Sequence, residues 1–136
     1  LENLILDENK ILSLPNQIGS LQKLRVLSIR MNQLSTIPDS ISRLERLERL
    51  DLSMNHIVDL PITMMLSLTA LSELLLGGNQ LSVPPFELCL NSNLTKLSLE
   101  GNLNLHSPPP QLTNDESASS KVIDFLRIET KALTSK

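Results

Sequence analysis

The chain has 136 residues, of which 40% are apolar, 20% charged and only 1% aromatic, so it can form one domain with an aliphatic core but no second large core. A net charge of -3 and the near absence of aromatic side chains argue against a nucleic-acid surface built on positive charge and base stacking. The single cysteine, Cys89, excludes a disulfide within this sequence and favours a reducing, cytoplasmic setting. No apolar run approaches the length of a membrane span.

The dominant feature is a nine-residue segment that occurs five times, beginning at residues 1, 24, 47, 71 and 94. The second copy reads LRVLSIRMN, and in every copy apolar residues hold the first, fourth and sixth places and asparagine holds the ninth. Side chains alternate along a strand, so the fourth and sixth face one way and leave an apolar edge that only stacked neighbours can cover. The pattern predicts a solenoid with a parallel sheet along one side, in which the asparagines form a buried hydrogen-bond ladder.

The spacing resembles the leucine-rich repeat, L-x-x-L-x-L-x-x-N-x-L, whose period is about 20 to 29 residues. The resemblance covers residues 1 to about 112. The second halves carry Leu14-Pro15, Ile37-Pro38 and Leu60-Pro61, each followed three residues later by Ile18, Ile41 or Met64. They are similar to an intracellular 23-residue class that includes Ras-suppressor proteins, plant intracellular Ras-group proteins and LAP-type scaffolds. This resemblance implies an α/β repeat solenoid, a right-handed horseshoe with a concave parallel sheet, and a role in protein–protein interaction.

We predict that the solenoid spans residues 1–112, with a polar linker and a C-terminal capping helix in residues 113–136. The third repeat has one extra residue, which we place on the outer side between Met64 and Thr69. The fourth repeat departs from the pattern at Pro84-Pro85, where we expect an extended outer segment, with Phe86 and Leu88 filling the space. Because Leu1 stands at the first place of a repeat and is not methionine, we expect a longer parent protein.

Past residue 106 the repeat pattern ends in a proline run at residues 107–110, which predicts polyproline-like chain leaving the solenoid. Apolar residues return later at helical spacing, with a polar start at residues 117–120. We expect Val122, Ile123, Leu126 and Leu133 to form the buried face of a helix that covers the open end of repeat five.

Catalytic chemistry has little basis in this sequence. His56 and His106 are the only histidines and stand in turns two repeats apart, so we expect solvated residues and no metal site. Cys89 is expected to be a half-buried, inert thiol. No lysine follows Gly77-Gly78 at the spacing of a phosphate loop, and these glycines should leave a depression in the inner surface. We expect no catalytic, cofactor-binding or metal-binding residues, and hence no enzyme.

The third, fifth, seventh and eighth places of each copy should face outward on the concave sheet, where the sequence varies. Apolar side chains there are rimmed by both signs of charge, which favours a protein partner, although single apolar residues also occur on surfaces without a partner. The predicted protein-binding residues are Val26, Ser28, Arg30, Met31, Arg49, Asp51, Met54, Glu73, Leu75 and Lys96.

Three interpretations of function stay open. The first is a monomeric, non-catalytic scaffold of intracellular signalling, for which the resemblance implies a small GTPase or its regulator as partner. The second is the repeat region of a larger multidomain enzyme such as a Roco GTPase or a kinase, which a phosphate-loop motif after Lys136 would favour. The third is a structural fragment without a partner of its own.

Overall fold

A parallel sheet runs along one side of the molecule. The computed structural model describes residues 1–106 and 119–134, and within them the sheet has five strands in the order β1-β2-β3-β4-β5. The strands are β1 (Asn3–Ile5), β2 (Val26–Ser28), β3 (Arg49–Asp51), β4 (Glu73–Leu75) and β5 (Lys96–Ser98). Each strand pairs the third place of its copy with the third place of the next, so the sequence period becomes the register of the sheet. The predicted parallel solenoid is confirmed.

Short helical segments form the opposite, outer side. Three of them are 3-10 turns, at Asn16–Ser20, Asp39–Arg43 and Glu87–Leu90, and one is an α-helix, α1 (Ile62–Ser67). Helical turns are wider than the roughly 4.8 Å that separates paired strands, so stacking them bends the solenoid with the sheet on the concave side.

The extra residue of repeat three accounts for α1. In repeat one the turn closes through a hydrogen bond from the Leu21 N–H to the Ile18 carbonyl, three residues back, at 3.2 Å. In repeat three the Leu68 N–H reaches the Met64 carbonyl, four residues back, at 3.1 Å, which is α-helical spacing. The insertion is therefore absorbed on the outer side, and the strand register does not shift.

The expectation of an extended outer segment in place of a helix holds only in part: Pro84 and Pro85 lie in no helix, but a 3-10 turn follows at Glu87–Leu90. Phe86, between the prolines and this turn, already has helical dihedrals, with φ -53° and ψ -49°. Proline fixes φ near its helical value and lacks only an N–H that the first turn leaves unpaired, so it precedes a helical turn without preventing it. Leu88 is buried and Phe86 is partly buried against the core, as expected.

The core combines side chains from the fourth and sixth places of the strands with apolar side chains of the outer turns, such as Ile18, Ile41 and Met64. In copies two to five the fourth and sixth residues are 2% exposed or less, namely Leu27, Ile29, Leu50, Leu52, Leu74, Leu76, Leu97 and Leu99. Leu4 on β1 and Leu6 just after it are partly buried, because only one neighbouring strand covers this end of the sheet. The predicted inward direction of these side chains is confirmed.

An asparagine ladder joins adjacent repeats inside the turns that follow the strands. Asn55 shows the pattern: its Nδ2 donates to the carbonyls of Ile29, at 2.9 Å, and Leu52, at 3.0 Å. Its Oδ1 accepts the Leu34 N–H at 3.0 Å. The same bonds recur at Asn32, Asn79 and Asn102, all of which are buried. Asn9, in the first copy, is exposed, and within the part of the chain that the structure describes it bonds only to carbonyls of its own turn.

The predicted capping helix is present as α2 (Ser119–Thr134), which packs on β5 and on the outer turn Glu87–Leu90. It buries Val122, Ile123 and Leu126. Leu133 was predicted for the same face but is 61% exposed, because it projects into solvent near the end of the helix. Thr130 is buried in its place, with Oγ1 donating to the Leu126 carbonyl at 2.7 Å.

Polar side chains of α2 also satisfy main-chain groups at the end of the solenoid. Ser119 Oγ donates to the Leu97 carbonyl of β5 at 3.1 Å. Arg127 donates to the carbonyls of Cys89, at 2.6 Å, and Asn91, at 3.1 Å. The predicted proline exit and linker lie outside the described residues, so the division at residues 112 and 113 stays a prediction.

The thiol of Cys89 lies in the core beneath this cap, fully buried and not half-buried as expected. Loss of hydration on burial raises the pKa of Cys89 to about 12, opposed by the nearby positive charge of Arg127. The thiol therefore stays protonated well above its ordinary titration range, which confers the low reactivity expected of an inert cysteine.

Replacing Asn55 by alanine should lower the free energy of unfolding by about 3 kcal/mol, because buried main-chain groups of two repeats lose their partner. Urea denaturation followed by circular dichroism measures the change. The matched control is Asn9→Ala, for which we expect a loss below about 1 kcal/mol, since Asn9 is exposed. Equal losses in both variants would contradict the ladder as the source of stability.

The cap can be tested through Cys89. Leu126→Ala removes a fully buried side chain from α2 and should cost about 3 kcal/mol, and the looser cap should speed labelling of Cys89 by a thiol reagent. Ile128→Ala on the same helix is the control, because Ile128 is 67% exposed and should change neither quantity appreciably. Rapid labelling of the unsubstituted protein at neutral pH would show that α2 does not cover this thiol.

Candidate protein-binding surface

The concave surface is formed by side chains at the third, fifth, seventh and eighth places, and the structure brings all of the predicted binding residues onto it. They differ in exposure. Arg30, Met31, Met54 and Lys96 are exposed, Val26, Arg49, Glu73 and Leu75 are half-buried, and Ser28 and Asp51 are buried. The surface open to a partner is therefore smaller than the predicted set.

Ser28 and Asp51 are 3% and 5% exposed, so the expectation that they present area to a partner needs correction. Ser28 Oγ donates to Asp7 Oδ1 at 2.6 Å. Asp51 Oδ1 accepts the Ser53 N–H at 3.0 Å, and the Arg49 guanidinium lies over it with Nη2 3.4 Å from Oδ2. Neighbouring side chains of the same face cover both Ser28 and Asp51. The two residues therefore support the concave surface without being exposed on it.

Charges on this face fall into two groups. Arg49 Nε is 3.1 Å from Glu73 Oε2 on the next strand, and both side chains are roughly one-third exposed. An ion pair at this exposure contributes little to the free energy of unfolding, but the charges of Arg49 and Glu73 compensate each other. Within the described residues, Arg30 and Lys96 take part in no ion pair. These two cations are the uncompensated charges of the predicted binding set.

The eighth place of every copy has a left-handed backbone. φ is +57° at Glu8, Met31 and Met54, and +67° and +75° at Gly78 and Gly101. A residue with a Cβ is disfavoured in this region by about 1 kcal/mol, whereas glycine adopts it freely. Met31 and Met54 are also 42% and 52% exposed, so burial offsets only part of that strain. In the sequence, the left-handed backbone at Met31 and Met54 is indicated only by the glycines that hold the same place in copies four and five.

A depression of about 250 Å³ opens on the concave surface beside the glycine pair. Six of the residues that line it are Arg30, Asp51, Ser53, Leu75, Lys96 and Glu100. The glycines themselves are covered, because the Glu100 carboxylate lies where a Cβ of Gly77 would be and the Met54 Sδ lies where a Cβ of Gly78 would be. The prediction of a depression at Gly77-Gly78 is therefore wrong, and the depression that the structure does show is lined by other residues.

Glu100 and the serines beside the depression were absent from the predicted set. Ser98 Oγ lies 2.7 Å from both carboxylate oxygens of Glu100, which holds that side chain against Gly77. These residues occupy the fifth and seventh places that already defined the face. The repeat register therefore places Glu100 and these serines on the concave face. Their residue types do not distinguish them from other polar residues, so the sequence provided no reason to select them.

The described residues, 1–106 and 119–134, show no metal site. His56 and His106 are both exposed. That part of the chain contains no group of three or more His, Cys, Asp or Glu side chains able to hold a metal ion. In the same part, none of the helices has the length and apolar character needed to cross a membrane.

Comparison with known proteins agrees with this geometry. Residues 1–57 match the family model described as leucine rich repeat. No curated protein matches the chain significantly.

Three solved structures are similar to this chain over most of its length. The leucine-rich repeat ectodomain of the receptor kinase SOBIR1 from Arabidopsis thaliana is 32% identical, with a TM-score of 0.66 over 77% of this chain and 58% of that one. The plant peptide hormone receptor RGFR1, in complex with RGF2, is 33% identical, with a TM-score of 0.66 over 76% of this chain and 17% of that one. An internalin (inlF) from Listeria monocytogenes is 29% identical, with a TM-score of 0.70 over 85% of this chain and 33% of that one.

The chain spans 17% to 58% of the length of these proteins. Repeats of this kind typically serve as non-catalytic modules for protein–protein interaction, with partners held on the extended concave surface. The sheet register, the asparagine ladder and these matches lead to one conclusion: residues 1–57 match the leucine-rich repeat family, and the chain folds as a leucine-rich repeat horseshoe.

Proposed function

We propose that this chain is a non-catalytic protein-binding segment whose concave surface holds a protein partner. The observation that carries the proposal is the pair of exposed methionines, Met31 and Met54, in a left-handed conformation. Gly78 and Gly101 hold the equivalent places in copies four and five, so the fold accepts glycine there. Methionine at these places costs stability and leaves much of the side chain in water. A strained, exposed apolar side chain is better explained by contact with a partner than by folding.

The surroundings of the methionines fit a protein better than a small ligand. The neighbouring depression, at about 250 Å³, lies below the range typical of small-molecule and cofactor sites. The thioethers can adapt to different side chains, and Arg30 with the Arg49–Glu73 pair forms a polar rim around them. An apolar centre with a charged rim is the usual composition of a protein interface.

We further propose that the module works as a monomer in the cytoplasm, in an intracellular signalling scaffold of the 23-residue class. Support for this setting comes from the single buried cysteine and from the L-P-x-x-I second halves. A small GTPase or its regulator is the partner class that the same second halves suggest.

A second candidate follows from the comparisons. SOBIR1 is a receptor kinase and RGFR1 a peptide hormone receptor. In this second proposal the chain is the repeat region of a larger protein with an enzymatic domain, in which the concave surface binds a peptide or recruits a substrate. The two candidates use the same binding surface but differ in the role of the protein that carries it. Identifying the partner captured by this surface distinguishes between them.

The binding surface can be tested by crosslinking pull-down from cell extract with this chain as bait. We compare the unsubstituted protein with a variant carrying Met31→Gly and Met54→Gly. A control carries Leu12→Ala and Val58→Ala, which removes apolar side chains that are 68% and 50% exposed outside the concave surface. The proposal expects the partner to be lost only with the methionine variant. Retention of every partner by that variant would overturn it.

The methionine substitutions should separate stability from binding. Met54→Gly should be about 1 kcal/mol more stable than Met54→Ala, because alanine keeps the backbone strain and glycine releases it. Against the unsubstituted protein, Met54→Gly should be within about 0.5 kcal/mol in urea denaturation, since lost contact with Gly78 offsets the released strain. Both variants should lose partner binding alike. A large loss of stability in Met54→Gly would mean that Met54 serves the fold.

A further inference from the structure

The depression beside Leu75 has an unusual charge arrangement. Arg30 reaches it from the second repeat and Lys96 from the fifth, and both line the same space of about 250 Å³. Neither cation is in an ion pair within the described part of the chain. Arg49, by contrast, is held by Glu73 and Asp51. The fold thus places two unpaired positive charges around one small depression, in a chain whose net charge is -3.

The carboxylates that line the depression already have donors. Asp51 accepts hydrogen bonds from Ser53 and lies beside Arg49. Glu100 accepts from Ser98, with both oxygens at 2.7 Å from the hydroxyl. Arg49 therefore compensates the charge of Asp51, whereas the neutral Ser98 hydroxyl leaves that of Glu100 in place. Among the described residues, the lining thus has two cations and one carboxylate outside ion pairs. Asp51 and Glu100 also limit the charge that the site can accept, because a doubly charged anion would be repelled by two fixed carboxylates.

Leu75 gives the depression an apolar side. It is half-buried and lies between the strands that carry Asp51 and Ser98, which pair with it in the sheet. A ligand that fits must combine methylene groups for this side with a single negative charge for the two cations. The side chain of aspartate or glutamate has this composition.

We propose that the depression binds an acidic side chain of an extended segment in the protein partner. Its carboxylate lies between the Arg30 guanidinium and the Lys96 ammonium, and its methylene groups lie against Leu75. This inference rests on the proposed function, because it assigns a chemical class to the segment that the concave surface holds. Charge-assisted hydrogen bonds of this kind are stronger than neutral ones, and Arg30 can offer two parallel donors.

The segment is expected to be extended because the site lies on a row of parallel strands. Carboxylates two residues apart project to the same side of an extended chain, and the residues between them project away. An acidic residue in the depression and an apolar residue near Met54 can then come from the same short stretch. This geometry defines the probe for the experiment.

The test uses a dye-labelled peptide of alternating aspartate and leucine, with binding to the full chain followed by fluorescence anisotropy. A second peptide has asparagine in place of every aspartate, and a third has phosphoserine. We expect the aspartate peptide to bind at least about tenfold more tightly than the asparagine peptide, or about 1.4 kcal/mol. Tighter binding of the phosphoserine peptide would overturn the choice of a carboxylate.

Single substitutions show whether the aspartate peptide binds at the depression. Arg30→Gln and Lys96→Gln should each weaken the aspartate peptide about fivefold or more and leave the asparagine peptide unchanged. Lys23→Gln and Arg46→Gln change the net charge equally but lie on exposed turns outside the concave face, so they are the matched controls. Equal weakening in all four variants would mean that bulk charge attracts the peptide, and the proposal would be wrong.

The outcome separates this inference from the proposed function. If the methionine variant loses its partner in the pull-down while the aspartate and asparagine peptides bind alike, the concave surface binds a protein but not through an acidic side chain. If the methionine variant keeps every partner, the proposed function fails on its own measurement. The peptide result then shows whether Arg30 and Lys96 bind carboxylates independently.

Discussion

A single repeat of this chain cannot fold alone, and the rest of the structure depends on that constraint. Each copy has one apolar edge and a turn whose main-chain groups find partners only in the next copy. The asparagines meet the second need: Asn55 joins its own turn to Ile29 and Leu34 of the copy before it, through bonds of 2.9 and 3.0 Å. Stacking and the ladder therefore form together, and at the last strand α2 supplies the missing cover with Val122, Leu126 and donors from Ser119 and Arg127.

The fold was predictable because its determinants are local and periodic. The inward direction of residues such as Leu27 and Leu74 follows from alternation along a strand, and the ladder follows from one asparagine per copy. The predictions were wrong where a neighbouring side chain or element determines whether a residue is buried. Burial at Asp51 depends on the long side chain of Arg49 lying over it, and exposure at Leu133 depends on where the solenoid stops supporting the helix. Neither is visible in a residue's own place in the repeat.

The binding surface was only partly predictable for a related reason. Its residues were selected by place, which put Met31, Met54 and Lys96 correctly on the concave side. The sequence did not show that the methionines have a left-handed φ or that a cation lacks an ion pair. Both features depend on three-dimensional neighbours. The glycine pair illustrates the point. Missing side chains predicted a depression at Gly77, but the Glu100 carboxylate occupies that space, and the depression in the structure is lined by Leu75 and its neighbours.

The α-helical turn of repeat three lies on the outer side, away from every residue proposed to bind. It has six residues, against five in the 3-10 turns of repeats one and two, and leaves the strand register intact. By the same reasoning that explains the bend, a wider outer turn increases the curvature of the horseshoe at that repeat. Insertions and deletions in these turns can therefore change the curvature beneath Met54 without altering any side chain that a partner touches. Evolution and protein engineering thus have a means of reshaping the surface that is independent of its chemistry.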